Sequence, residues 1–123
     1  MKFLFFWVFF YTLVMAISQI LLKVGVGQIG GFHLGGIREV WLLVLQVLTN
    51  LSIMSSIILM VSSFFLWLYI LSWTKLSLVF PLTALVYVLV PILSFLLLGE
   101  RLSLYQYLGA TFIASGVFFL LFK

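Results

Sequence analysis

A chain of 123 residues that is 67% hydrophobic and 7% charged has too little polar surface to cover a water-soluble globule, where those shares run at roughly 45–50% and 25%. Bilayer spans of about 20 apolar residues fit four times into this length, with short connections and no room for a separate soluble domain. The absence of cysteine excludes a disulfide framework and a thiolate metal site, a single histidine cannot build a histidine metal site, and a net charge of +4 on scattered residues offers no basic patch for nucleic acid.

The first span is predicted over about 3–26. Met1-Lys2, an apolar stretch and Ala16-Ile17-Ser18 imitate a signal peptide, but the apolar run continues through Leu22, so a retained span is expected. Its interior polar residues are Thr12, Ser18, Gln19 and Lys23. Thr12, Gln19 and Lys23 are spaced by seven and four residues and so share one helical face, predicted to look into the bundle or a wet cavity rather than at lipid. A connector follows over 25–36, where six glycines in twelve residues predict an extramembrane loop that carries His33 in an exposed position.

Residues 38–48 set Glu39 and Gln46, with Asn50 beyond, on one side, and Val40, Trp41, Leu43, Val44 and Val47 on the other. That pattern predicts a short interfacial helix on the membrane surface, broken at Thr49-Asn50; the alternative is the opening turns of a long second span. The second span, about 51–73, repeats serine every seven residues (Ser55 with Ser62, Ser56 with Ser63) and ends in Trp67, Tyr69 and Trp73. Small residues at that spacing let helices approach, and the aromatics suit the interface. The third span, about 77–98, carries Pro81 near its start and Pro91 in its middle, where the lost backbone hydrogen bond predicts a kink and a hinge. After Gly99-Glu100-Arg101, the fourth span runs over about 104–122, with Gly109 and Gly116 seven apart and Ala110 and Ala114 beside them as a packing stripe. The predicted fold is therefore an all-α membrane protein of four transmembrane helices. Four spans put Lys2, Lys75 and Lys123 on one side and Lys23, Arg38 and Arg101 on the other. This balance gives the positive-inside rule nothing to act on and permits insertion either way.

The only acids, Glu39 and Glu100, sit beside turns, whereas Lys23 lies at the end of an apolar run. An ionisable side chain at membrane depth marks a candidate site. Lys23 either snorkels to the interface or docks a lipid phosphate, for which a compact ammonium is well suited. Gln19, four residues earlier, is interhelical glue or a ligand. Thr83 and Tyr87, four apart on the third span, and Trp67 on the second serve either packing or contact with a sugar or prenyl group. No nucleophile–base pair, phosphate-cradling glycine loop or metal-ligand cluster appears, so neither an enzyme nor a cofactor is expected.

The stretch from Leu78-Val79-Phe80-Pro81-Leu82 through Leu98-Gly99-Glu100-Arg101-Leu102-Ser103 to Gly109 and Gly116 resembles the drug/metabolite transporter superfamily, in its EamA-like part. So do Ser18-Gln19-Ile20-Leu21-Leu22-Lys23-Val24-Gly25 and Phe65-Leu66-Trp67-Leu68-Tyr69-Ile70-Leu71-Ser72. In size, in the first-span lysine and in the Gly109/Gly116 spacing, the chain is similar to the small multidrug resistance proteins. They are homodimers, often antiparallel, that pack through the fourth span and depend on a first-span glutamate. Met15 stands at that position here, so the proton-exchanging site does not carry over. From Trp67 through Pro81 to Glu100 the chain looks closer to the aminoarabinose-phosphoundecaprenol flippase subunits, which lack the glutamate too.

The resemblance implies a bacterial inner-membrane transporter or flippase of a lipid-linked sugar phosphate. Its substrate would be bound by Lys23, Gln19, Tyr87, Thr83 and Trp67, and its partners would be the bilayer and either a second copy or a similar small subunit. Two alternatives stand beside it: an exporter of hydrophobic or cationic compounds, and a non-transporting subunit of a larger membrane complex.

Overall fold

The computed structural model describes residues 2–30 and 35–122. Among them the backbone is helical with short turns and no strand: α1 (Lys2–Ile29), α2 (Ile37–Thr49), α3 (Leu51–Trp73), α4 (Leu76–Leu82), a 3-10 turn at Thr83–Leu85, α5 (Val86–Leu98) and α6 (Leu104–Leu121). The segment from α4 through α5 acts as one rod, Leu76–Leu98. Together with α1, α3 and α6 it makes four segments long and apolar enough to cross a bilayer, the architecture of a multi-pass membrane protein.

The most extensive packing is between α1 and α3. On α1 the buried residues Leu4, Val8, Thr12, Ala16 and Ile20 recur every four positions and form one stripe. On α3 the matching stripe is Ile53, Ser56, Ser63 and Ile70. The hydroxyls of Ser56 and Ser63 donate to carbonyls of their own helix, Ile53 at 2.7 Å and Met60 at 2.7 Å. Their polar groups are thus satisfied while their small size lets α1 come close. Of the two serine pairs, Ser56/Ser63 forms this interface, and Ser62 of the other pair is exposed.

Helix α1 runs to Ile29, past the expected end, and takes Gly25 and Gly27 into its last turns. Close packing accounts for the first of these: a Cβ on Gly25 would collide with the Ile53 side chain and lie 2.9 Å from Asn50 Oδ1. The Asn50 side chain accepts from Ile53 N–H at 3.0 Å to cap α3, and its amide donates to Gln28 Oε1 at 3.2 Å, fastening the end of α1 to the start of α3. Asn50 itself is extended, with φ −82° and ψ 119°, so α2 and α3 are separate helices. Residues 31–34, with the expected loop position of His33, and Lys123 lie outside the described residues.

At the other end of the bundle, Trp7 and Tyr69 rings meet at 5.2 Å and Phe3 and Trp73 at 5.2 Å, placing the start of α1 beside the end of α3. A core of Leu4, Val8, Ile70, Val79, Leu82 and Val117 draws the third rod and α6 in at the same end. Lys2 and Lys75 therefore share one end of the bundle.

The third rod departs from α geometry at Thr83–Leu85, between its two prolines. Pro81 and Pro91 each lie inside helix, in α4 and α5. The Thr83 N–H reaches the carbonyls of Val79, Phe80 and Pro81, and its hydroxyl donates to the Phe80 carbonyl, which favours the tighter turn. Helix α6 opens with a capping box between Ser103 and Gln106 and buries only Val117 within the protomer.

Candidate functional site

Between α1 and the third rod lies a cavity of about 500 Å³. Its α1 wall is Tyr11, Met15 and Gln19, one residue per turn, adjacent to the buried stripe that packs on α3. Its opposite wall is Thr83 from the 3-10 turn and Val86, Tyr87, Val90 and Pro91 from α5. The wall on α1 occupies the middle of that helix, so the cavity sits at mid-depth. Tyr87 is 68% exposed and stands at an open side of the cavity.

The lining is neutral and capable of hydrogen bonding. Tyr11 and Tyr87 bring phenols that donate and accept, and Gln19 brings an amide that does both. The Thr83 hydroxyl spends its hydrogen on the Phe80 carbonyl and keeps its lone pairs. The Met15 sulfur lies 3.0 Å from the Ser63 hydroxyl oxygen, placing this wall against α3. Pro91 has no N–H to offer the carbonyl of Tyr87, four residues before it, so the cavity wall also contains a main-chain acceptor deprived of its helical donor. No carboxylate lines the cavity.

The structure brings Gln19, Thr83 and Tyr87 together around this space, with Pro91 at its edge. Trp67 stands behind the lining, half-buried, with its ring 5.3 Å from Tyr11 and 6.3 Å from Phe80. It supports Tyr11 and does not line the cavity. Lys23 is exposed, one turn beyond Gln19 on the same face of α1, and outside the lining. Sequence reasoning missed Tyr11, Val86 and Val90, and it weighed Met15 only for the acid absent there. The four-residue spacing of Tyr11, Met15, Gln19 and Lys23 was the available signal.

The fourth-span stripe is elsewhere. A Cβ added to Gly109 or Gly116 would meet nothing within 4 Å, so that face of α6 is open in the protomer. Ala110 and Ala114 turn toward α5 and line a groove of about 320 Å³ with Val88, Pro91 and Ile92.

Comparison with models of protein families, with curated proteins and with solved structures gives no match to this chain.

Proposed function

We propose that this chain is a transporter or flippase that moves an anionic, phosphoprenyl-linked sugar, an aminosugar in one form, across the bacterial inner membrane. The observation that carries this reading is the meeting of Gln19, Thr83 and Tyr87 around an acid-free cavity at mid-depth, with Lys23 one turn further along the same helical face. Sugar hydroxyls exchange hydrogen bonds with Gln19, Tyr11 and Tyr87, while the phosphate docks on the Lys23 ammonium. The prenyl tail stays in lipid, reached through the side opening at Tyr87.

The resemblance to four-span drug/metabolite transporters supports the same reading, as does the rod with prolines on both sides of a 3-10 turn. Movement at Thr83–Leu85 and Pro91 would alternate access to the cavity. Helix α2 buries none of its residues in the protomer and leaves Ile37, Val40, Trp41 and Leu48 exposed, as a helix lying on the membrane surface would. The open Gly109/Gly116 face of α6 suits a second copy or a similar small subunit. Proton coupling through a buried acid has no candidate in this cavity, so transport runs downhill or is drawn by consumption on the far side.

The test is flipping of a fluorescent phosphoprenyl-sugar in liposomes. Lys23→Ala and Gln19→Ala should each slow it, and wild-type rates in both would remove the proposed phosphate and sugar contacts. A second reading, export of hydrophobic or cationic compounds, is favoured by the apolar part of the lining, Met15, Val86 and Val90. Efflux of cationic dyes with no flipping of the lipid-linked sugar would select it.

A further inference from the structure

A second cavity, of about 630 Å³, lies at the Lys2/Lys75 end of the bundle, where the start of α1, the α3–α4 turn and the end of α6 converge. Leu4, Leu78 and Leu120 give it an apolar wall, and Trp73, Thr74, Lys75 and Ser77 give it a polar rim. The Thr74 hydroxyl is committed to the Ile70 carbonyl at 2.6 Å, which leaves Lys75, Ser77 and the Trp73 indole N–H as the rim's side-chain donors to a ligand. The Lys75 side chain is exposed, and its residue makes no side-chain cap to α4. Charge at this end has one sign among the described residues. Lys2 stands at the start of α1, beside the cavity residue Leu4, while Glu39 begins α2 and Glu100 lies in the turn after α5, both away from this rim.

We infer that this cavity binds the phosphodiester head group of an anionic phospholipid. The Lys75 ammonium and Ser77 hydroxyl hold the phosphate, and the upper acyl chain lies along Leu4, Leu78 and Leu120. Trp73 is placed at head-group level, where an indole gains from one apolar and one wet side. A rim of cation and hydroxyl above an apolar wall matches a lipid head group, with charge and hydrocarbon in one molecule, better than a free anion. The site is independent of the cavity at Gln19 and does not rest on the transport reading.

The experiment measures thermal stabilisation of the purified full chain in mild detergent by phosphatidylglycerol, phosphatidylcholine and inorganic phosphate. Phosphatidylglycerol should stabilise most, with a preference over phosphatidylcholine that weakens as salt rises. Lys75→Gln should reduce that preference roughly five-fold, the share of one lysine at a lipid surface, and Lys75→Arg should restore it. Arg101→Gln, in the exposed turn after α5 at the opposite end of the bundle, should leave it unchanged. Leu120→Trp, which fills the cavity without altering charge, should weaken the response to phosphatidylglycerol, so the inference remains open to refutation if the lysine variant folds poorly. An undiminished preference in Lys75→Gln overturns the site. So does an equal loss in Arg101→Gln, which would mean general basic charge. Equal stabilisation by inorganic phosphate would make the site an anion site rather than a lipid site.

Discussion

Four-residue spacing along α1 sorts its side chains into a packed stripe, Leu4 to Ile20, and a cavity stripe, Tyr11, Met15 and Gln19. Met15, at the position where the resemblance would set a glutamate, keeps the cavity lining free of carboxylate. Gly25 poses a steric test at the same scale. Gly25→Leu should cost about 1–3 kcal/mol by overpacking against Ile53. Gly27→Ala, with nothing within 4 Å of its Cβ, should gain roughly 0.5–1 kcal/mol from helix propensity, both read by thermal melts in detergent.

At one end of the bundle a specific polar contact joins the helices, where lipid supplies no hydrophobic force between them. Asn50 caps α3 through Ile53 N–H at 3.0 Å and also holds Gln28, so it ends one helix, starts the next and clips a third. Asn50→Ala should cost about 1 kcal/mol for the cap and release the last turn of α1, visible as faster amide exchange after Gly25. In the third rod, Pro91→Ala would return an N–H to the Tyr87 carbonyl. Stability should rise on the order of 1 kcal/mol, while flipping slows if the rod must bend there. A faster, more stable variant would separate Pro91 from the conformational step.

For the molecule as a whole, the uneven burial of its helices is decisive. Helix α1 packs one stripe on α3 and its neighbouring stripe against the third rod, whereas α6 buries only Val117. A Cβ on Gly109 or Gly116 would meet no atom of its own protomer within 4 Å, so Gly109→Ile and Gly116→Ile should not lower helicity or monomer stability. Under the proposed pairing of this face with a second copy, each should lower the dimer fraction in cross-linking and single-molecule mass measurements. A dimer that survives both substitutions would mean that the protomers associate through another face.

Composition and spacing by themselves determine an all-helical, multi-pass chain. Runs of apolar residues must satisfy their backbone groups internally, and the turn residues at Lys75 and Gly99 mark where those runs stop. The same reading placed Gln19, Thr83 and Tyr87 in one candidate set, because polar groups in apolar helices have few places to point. The tertiary structure alone decided that these three meet across a gap and that Trp67 stands behind Tyr11. It also decided that Lys23 lies one turn outside the lining and that only one serine pair of α3 faces α1. Helical periodicity fixes which residues share a face. Which face meets which neighbour depends on close approaches such as Gly25 against Ile53, made between residues far apart in the chain.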